Sequence, residues 1–418
     1  MRGPAELEEL VRGGRSGIGL CLSGGGFRAA LFHLGALRRL HELGILKSVR
    51  WISSVSGGSI LAGHIATCQR AYGLGGRLVF KNWQRDVAKS FRAFVGRDLR
   101  TWPVMKNSLW NWLNPGPLLS DLERRYRDRL TTLSLKDLPE APEYVFCATD
   151  LTFGVNWRYS RRSVGSYQAG YIYSEGESSG HNETPLARAI AASACFPPLF
   201  GPMAVGMPPS AFRGGQYTGP KRDELLQHLV LSDGGVYDNM ALEPVWRLAA
   251  TVLVSDCGAP FEYEAGKEPW RTLLRYTSVV SRQTQSLRIR MLQAEWRKQS
   301  TVRAYNGTRW HLAAGKSDDS KSLPNAVGYS EQIAEDCIAK IRTDLDAFSD
   351  AEMCILENHG YCNADYQIRS KLPKLVVRKG SKPVCPYPEW MDEGKVRAAL
   401  SDSSRRFVTL RLLKGLFQ

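Results

Sequence analysis

Two apolar runs, each followed by a glycine-rich turn and a helix-like stretch, dominate the first seventy residues. Residues 18–22 predict a buried strand, and after three glycines the apolar spacing over residues 29–43 predicts a helix. Residues 51–55 predict a second strand, and a second helix is expected to run to about Gln69. Strands alternating with helices in this way are typical of an α/β fold with a mostly parallel sheet.

The two turns carry the first candidate chemistry. Gly24-Gly25-Gly26 ends a strand and opens a helix, so backbone N–H groups without intrahelical acceptors collect there and stabilise negative charge. This arrangement predicts an oxyanion hole. The second turn places Ser56 between a strand and a helix, and the two glycines after it allow the strained backbone that exposes a nucleophilic hydroxyl. Together the two turns predict acyl transfer.

The first turn also fits the G-x-G-x-x-A spacing of a dinucleotide-binding fold. Such a fold needs an acidic residue at the end of the next strand to hold a ribose hydroxyl. Here the next strand ends in Ser53, Ser54 and Ser56. The sequence therefore argues against a nucleotide cofactor, and we expect no cofactor.

A third apolar run, residues 229–232, predicts a strand that ends in Asp233-Gly234-Gly235. In a parallel sheet this carboxylate and Ser56 would both lie at strand C-terminal ends, where open α/β folds build their sites. Asp and Gly are also ordinary turn residues, so the motif on its own favours a turn.

Five motifs, taken in order, make the chain resemble the patatin-like phospholipases, serine lipid acyl hydrolases that use a Ser-Asp dyad. They are SGGGFRAA (23–30), SVSGG (54–58), CATDL (147–151), ASACFPPLFGP (192–202) and SDGGVYDNMALEPV (232–245). Weaker resemblance continues to about residue 365. The resemblance implies a three-layer α/β fold, with a central mostly parallel sheet flanked by helices.

The resemblance also implies roles for individual residues. The family's nucleophile elbow is usually G-x-S-x-G, and Ser54 stands at its first glycine, where a small serine still allows close helix packing. The implied site consists of Ser56 as nucleophile, Asp233 as general base, Gly24, Gly25, Gly26 and Arg28 at the oxyanion hole, and Ser54, Gly57 and Gly58 in the elbow.

A dyad does not require a histidine, because a carboxylate held in a dry pocket can take the serine proton directly. None of the seven histidines stands in a motif that needs one. His33 and His64 follow the two turns on predicted helices, where a packing role is favoured. His311 and His359 follow Asp233 in the Ser…Asp…His order of a triad, so a triad stays open as the alternative.

The 418 residues, 43% hydrophobic and 23% charged, are enough for one large α/β domain with appendages. Lys and Arg exceed Asp and Glu by 15, which favours an anionic phospholipid membrane surface as partner; no nucleic-acid polymer is expected. Scattered cysteines and the lack of a signal peptide or long apolar run favour a cytoplasmic protein with peripheral membrane association. No His/Cys spacing suits zinc, so no metal is expected.

Three segments border or interrupt the catalytic domain expected over residues 16–365. Residues 1–15 form a polar leader, 80–142 an aromatic and basic insertion or cap, and 366–418 a basic C-terminal extension. The aromatic side chains of the insertion suit a bilayer interface, but their helical spacing favours the core of a capping subdomain. They are Phe80, Trp83, Phe91, Phe94, Trp102, Trp110 and Trp112.

Four further elements follow from turn and helix signals. Thr184-Pro185 predicts a helix start, with Thr184 as N-cap, and residues 201–227 predict a loop before the Asp233 strand. Residues 251–255 predict the last strand, and 269–299 a long basic helix.

The expected function is hydrolysis of carboxylic esters of membrane glycerophospholipids through an acyl-enzyme, as in a phospholipase A or lysophospholipase. Acyl position, headgroup and oligomeric state stay open, and neutral glycerides or thioesters suit the same machinery. Such an activity threatens the host membrane, so an activating ligand or partner is expected; the resemblance also admits nucleotide-activated antiviral effectors. The alternative, a lipid-binding or scaffold protein with a degenerate site, is disfavoured because all three site motifs are intact.

Overall fold

A mixed sheet of ten strands forms the middle layer of the described part of the chain in a computed structural model. The residues described are 14–99, 116–174, 180–197, 200–258, 269–297, 306–316, 323, 326–401 and 403. The strands are β1 (Ile18–Leu22), β2 (Val49–Val55), β3 (Glu143–Asp150), β4 (Val155–Ser160), β5 (Ser163–Ser166), β6 (Gly170–Tyr173), β7 (Met203–Ala204), β8 (Val230–Asp233), β9 (Thr251–Asp256) and β10 (Asn306–His311).

The sheet has a parallel half and an antiparallel half. Strands β10, β9, β1, β2 and β3 lie side by side in that order and are parallel. Strands β4, β5 and β6 continue the sheet beyond β3 in antiparallel pairs, and β8 pairs antiparallel with both β3 and β7. The α/β class is confirmed, with a mixed sheet.

Helices cover both faces of the sheet. Because successive side chains of a strand point to opposite faces, Leu20 and Leu22 of β1 join the larger core, whereas Cys21 packs with Leu292 in a second one. The helices are α1 (Gly26–Glu42), α2 (Gly57–Ala71), α3 (Lys89–Val95), α4 (Gly116–Arg129), α5 (Leu186–Ser193), α6 (Arg222–Gln227), α7 (Gly235–Asp238), α8 (Pro269–Arg297), α9 (Glu331–Ile333), α10 (Asp350–Lys371) and α11 (Glu393–Leu400). None of them, within the described residues, has the length and apolar content to cross a bilayer.

Helix α1 begins at the glycine turn, and α10 packs against it. A Cβ atom at Gly35 would lie 1.9 Å from the carbonyl oxygen of Glu357, and one at Gly360 would lie 1.8 Å from that of Phe32. The two helices therefore meet backbone to backbone, which only glycine permits at these positions.

The domain boundary expected after residue 365 falls inside α10. That helix continues to Lys371, and the buried guanidinium of Arg39 lies 2.7 Å from the Asp365 carboxylate. Beyond the helix, the N–H groups of Val377 and Arg378 donate to the carbonyl oxygen of Leu43. The first part of the expected extension thus packs next to α1, against the body of the protein.

Two of the expected elements differ in the structure, and one strand was not expected. Helix α5 starts at Leu186 with Pro185 at the N-cap position, and the hydroxyl of Thr184 donates to Gly180 instead of capping the helix. The expected loop 201–227 contains β7 and α6. Strand β10 was not predicted, because it pairs only with β9 and only Thr308 and Trp310 among its residues are buried.

The aromatic side chains of the insertion pack into the main core wherever the structure describes them. Phe80, Trp83, Phe91 and Phe94 are all buried in the main core, and the Phe91 ring lies 5.0 Å from the His64 ring. The core interpretation is confirmed for these four side chains. The tryptophans at 102, 110 and 112 lie outside the described residues, as does most of the polar leader.

Candidate active site

Ser56 occupies the sharp turn between β2 and α2. Its backbone has φ 51° and ψ −119°, a conformation that non-glycine residues rarely adopt and that costs about 1–3 kcal/mol. The Ser56 N–H donates to both the carbonyl oxygen of Ser193, at 3.1 Å, and its hydroxyl, at 3.0 Å. These bonds hold the strained turn that presents the Ser56 side chain at the start of α2.

A chain of buried hydroxyl groups supports the elbow. The Ser59 hydroxyl lies 3.0 Å from that of Ser54 and 2.8 Å from that of Ser193. The Ser54 hydroxyl donates to the carbonyl oxygen of Val145 at 3.3 Å. Serine in place of the elbow's first glycine is therefore accommodated by hydrogen bonds, and the strained turn at Ser56 is kept.

The glycine turn before α1 touches the elbow. A Cβ atom at Gly57 would lie 2.0 Å from the Gly26 carbonyl oxygen, one at Gly58 would lie 2.3 Å from that of Leu22, and one at Gly24 would lie 3.2 Å from the Cβ of Ser56. Side chains at these positions would push the two turns apart.

The oxyanion donors are fewer than expected. The Gly24 N–H donates to the Asn239 carbonyl oxygen at 3.1 Å, so it already has an acceptor within the protein. Gly25 and Gly26 have φ values of 137° and 59°, and their N–H groups have no acceptor among the described residues. These two amides at the N-terminus of α1 are the ones available to an oxyanion.

Arg28 lies beside the glycine turn, but its guanidinium is bound to backbone carbonyl oxygens of other segments. The side chain is buried and donates to the carbonyl oxygens of Ile341 at 2.7 Å and Cys257 at 3.2 Å. It therefore ties the first turn of α1 to two neighbouring loops.

Strand β8 brings Asp233 to Ser56 by a route that the sequence did not predict. We expected a parallel strand, yet β8 runs antiparallel to β3. Strand β2 ends at Val55 opposite Cys147 of β3, and β8 ends at Asp233 opposite the next residue, Ala148. The two strands occupy the same edge of β3 and meet end to end. Ser56 and Asp233 are therefore neighbours.

The carboxyl group of Asp233 lies in a dry environment. The residue is 2% exposed, its Oδ1 accepts the Gly235 N–H at 2.7 Å, and its Oδ2 is buried without a hydrogen bond of regular geometry in the described structure. Burial raises the pKa of Asp233 to about 7, although the Gly235 N–H and the Ser56 hydroxyl favour the ionised form. A carboxylate with a pKa near neutrality is suited to take a serine proton.

The end of α5 positions both site residues. Besides accepting from Ser56, the Ser193 carbonyl oxygen accepts the Gly234 N–H at 3.3 Å, and the Cys195 carbonyl oxygen accepts the Asp233 N–H at 3.1 Å. The Ser193 hydroxyl also donates to the carbonyl oxygen of Cys147 at 2.6 Å. Sequence reasoning missed these roles, although both residues stand in the motif ASACFPPLFGP.

The two histidines left open for a triad have other partners. His359 donates from Nε2 to the Leu312 carbonyl oxygen at 2.6 Å. His311 stands opposite Asp256 on β10, and β9 and β1 lie between β10 and β2. Burial lowers the pKa of each ring to about 4. Both histidines are held away from the strand that carries Ser56.

The packing role favoured for His33 and His64 is also seen. His33 lies 2.7 Å from the Ser255 hydroxyl and 3.0 Å from the Ser23 carbonyl oxygen, and His64 lies 3.0 Å from that of Val87. Burial lowers the pKa of each ring to about 4. Among the described residues, no three His, Cys, Asp or Glu side chains are grouped so that they could hold a metal ion.

Comparison with solved structures finds similar chains of low sequence identity. Human GIVD cytosolic phospholipase A2 is 14% identical with a TM-score of 0.41, and the match covers 96% of this chain and 62% of that one. VipD from Legionella pneumophila is 15% identical with a TM-score of 0.34, and the match covers 85% of this chain and 67% of that one. This chain thus spans less than two thirds of the length of the human enzyme. No curated protein sequence gave a significant match.

The family comparison covers the elements that carry the site. The sequence profile described as patatin-like phospholipase matches residues 20–246, which is more than half of the chain. This range includes the glycine turn, the Ser56 elbow, the end of α5 and the Asp233 turn. The chain therefore belongs to the patatin-like phospholipase family.

Proposed function

We propose that the protein hydrolyses carboxylic esters of membrane glycerophospholipids through a Ser56–Asp233 dyad and an acyl-enzyme. The observation that carries this proposal is the end-to-end meeting of β2 and β8. It sets a serine in a strained elbow beside a buried carboxyl group with a pKa of about 7. The N–H groups of Gly25 and Gly26 lie at the adjoining turn.

The proposed reaction has two steps. The Ser56 oxygen attacks the ester carbonyl carbon while Asp233 takes the hydroxyl proton, and the oxyanion is stabilised by the N–H groups of Gly25 and Gly26. Collapse breaks the bond to the lysophospholipid oxygen, which leaves with the proton from Asp233. Water then loses a proton to Asp233 and attacks the acyl carbon. The bond from that carbon to the Ser56 oxygen breaks, the Ser56 oxygen takes the proton back from Asp233, and the fatty acid leaves.

Product analysis on mixed vesicles tests this proposal. We expect equal amounts of free fatty acid and lysophospholipid at early times, measured by mass spectrometry, and covalent labelling of the protein by a fluorophosphonate. A protein that binds the vesicles but yields neither products nor labelling would instead be a lipid-binding protein with a degenerate site.

We expect the activity on a soluble ester to rise with pH through about 7. Because Asp233 must be ionised to accept a proton, kcat/KM should increase about tenfold per pH unit below its pKa and level off above it. Initial rates between about pH 5 and about pH 9 at constant ionic strength measure this rise of kcat/KM with pH. The residual activity of Asp233→Asn serves as control and should not increase with pH in this way. A wild-type profile that is flat across neutrality would contradict Asp233 as the base.

We also expect vesicle binding to strengthen with anionic lipid and to weaken with salt. The net charge of +15 acts through a field whose screening length falls from about 10 Å at about 0.1 M salt to about 3 Å at about 1 M. Sedimentation with phosphatidylcholine vesicles, with and without phosphatidylglycerol, measures this dependence. Equal binding to purely zwitterionic vesicles at every salt concentration would show that the charge plays no part.

A further inference from the structure

Helix α8 presents an apolar face to solvent. Tyr276, Val279, Val280 and Leu287 are 65%, 47%, 66% and 54% exposed. At 3.6 residues per turn, Tyr276, Val280 and Leu287 fall within about 40° of one another around the helix axis, and Val279 lies about 60° to one side. We call these four residues the outer face of α8.

The opposite side of α8 packs against the active site. Arg288 donates from Nη1 to the Tyr237 carbonyl oxygen at 2.6 Å, and Gln285 donates to the Asp256 carboxylate at 3.2 Å. Tyr237 belongs to α7, which begins two residues after Asp233. The inner side is therefore fixed beside the catalytic carboxylate, so the outer face points away from the protein body.

The charges of α8 are of one sign over most of its length. Its sequence contains no Asp or Glu before Glu295, whereas arginines recur throughout. Arg290 lies about 40° from Tyr276 around the helix axis, Arg282 flanks Val279 at about 60°, and both arginines are exposed. Exposed apolar side chains among cations without nearby acids are typical of helices that lie in the interface of an anionic membrane.

Exposed apolar side chains are also frequent at the end of the sheet that carries Ser56. Eight of the twelve exposed large hydrophobic residues in the described structure lie on α8 or on segments at the end of the sheet that carries Ser56. Outside α8, Leu151, Tyr167 and Phe196 follow β3, β5 and α5, and Val236 lies in the short helix α7 after β8. Phe196 follows Cys195, which holds the Asp233 backbone. The exposed apolar side chains of α8 are thus accompanied by four others on segments at the sheet end that carries Ser56.

We propose that the outer face of α8 docks on the surface of an anionic phospholipid bilayer and holds the dyad at the membrane that supplies its substrate. This inference rests on the proposed function. The charge is complementary to anionic headgroups, the side chains suit shallow insertion, and the location beside Asp233 gives bound lipid a short path to Ser56. The helix lies beyond residues 20–246, the part of the chain that matches the family profile.

A matched pair of double variants tests the docking face. Val279→Ser with Val280→Ser removes apolar surface from α8. Val377→Ser with Val384→Ser removes it from two valines that are similarly exposed, at 53% and 65%. Of these controls, Val377 lies at the end of the sheet opposite Ser56, since its N–H donates to the Leu43 carbonyl oxygen between α1 and the start of β2. The Val384 N–H donates to the Tyr361 hydroxyl of α10.

The readout is binding to phosphatidylcholine vesicles that contain phosphatidylglycerol. We expect the α8 variant to bind on the order of tenfold more weakly than wild type and the control variant to bind like wild type. Because all four positions are exposed, both proteins should fold, which circular dichroism and thermal melting check. Both should also hydrolyse a soluble ester at the wild-type rate.

A charge variant provides a second measurement. Arg282→Gln with Arg290→Gln should weaken binding to the anionic vesicles by more than about tenfold, because each basic residue near the surface contributes about fivefold. Its binding to pure phosphatidylcholine vesicles should be unchanged.

Several outcomes would overturn the docking face. They are unchanged vesicle binding in the α8 variant, an equal loss in the control variant, or a loss only of self-association, which would identify a second copy as the occupant. Failure of the proposed function looks different. A wild-type protein that does not hydrolyse the soluble ester but loses vesicle binding on the α8 substitutions would contradict the dyad and support the docking face.

Discussion

Replacing Ser56 with Ala is expected to lower ester hydrolysis by ~10⁴–10⁶-fold and to remove fluorophosphonate labelling. The substitution deletes only the nucleophilic oxygen. The oxyanion donors at Gly25 and Gly26 and the bonds from the residue-56 N–H to Ser193 stay in place. Initial rates on a soluble ester and mass spectrometry of the labelled protein measure the two effects.

Ser53→Ala is a matched control, since its hydroxyl is buried in the same strand and lies 3.6 Å from the Cys147 sulfur. It should retain activity and labelling. A labelled peptide that maps to Ser53, Ser54 or Ser59 would contradict the elbow assignment. Ser56→Gly should be as inactive as Ser56→Ala but melt at a higher temperature, because glycine relieves the positive φ at position 56.

Asp233→Asn is expected to lower turnover by at least ~10²–10⁴-fold, the range of general acid–base catalysis. The introduced amide keeps the size of the side chain but cannot accept the serine proton. His311→Gln and His359→Gln should leave the rate largely unchanged, because both rings bond or pack away from β2. Rates of the three variants on one soluble ester, each checked by circular dichroism, separate a dyad from a triad.

The stability of Asp233→Asn provides an independent check. The pKa of Asp233 is raised from its ordinary value of 3.8 to about 7. Burial of the ionised carboxylate therefore costs folding free energy that appears as pH rises from about 4 to about 7, with an upper bound of about 4 kcal/mol. The Asn variant should therefore melt above wild type at about pH 8, and this difference should shrink at about pH 5. A variant that melts lower at both pH values would indicate a structural rather than a catalytic carboxylate.

An opposite pattern of rates would overturn the dyad. Loss of activity in either histidine variant, with Asp233→Asn only slowed, would assign the base to a histidine. Equal loss in all three variants, together with lower melting temperatures, would show that the substitutions disturb the fold.

The local elements of the site could be predicted because their signals lie within short stretches of sequence. The strand over Ile18–Leu22 was predicted with its observed bounds. The helix after the first turn starts three residues before the expected position, and the helix after the second turn ends two residues beyond it. Glycine was decisive at Gly57, where a Cβ atom would lie 2.0 Å from the Gly26 carbonyl oxygen, and at Gly26, where a Cβ atom would lie 2.5 Å from that of Asp344. The order of such motifs was enough to indicate the family.

The contacts that complete the site could not be predicted in the same way, because they join segments far apart in the chain. The Gly24 N–H was expected to be an oxyanion donor, but it is taken up by Asn239, more than two hundred residues away. Arg28 was placed correctly beside the turn, yet its guanidinium binds the carbonyl oxygens of Cys257 and Ile341. No local sequence pattern predicts such partners, since any backbone carbonyl oxygen can accept a hydrogen bond.

The sequence by itself determined the α/β class, the strained serine turn, the glycine turn and the carboxylate motif, because backbone propensities and turn chemistry act over a few residues. Only the tertiary structure decided that β8 runs antiparallel to β3 and meets β2 end to end at Cys147 and Ala148. It also decided that the main core takes up the aromatic side chains from Phe80 to Phe94, whereas α8 exposes its own apolar residues. The physical reason is that strand direction, burial and the pKa of Asp233 depend on which distant segments exclude water from one another.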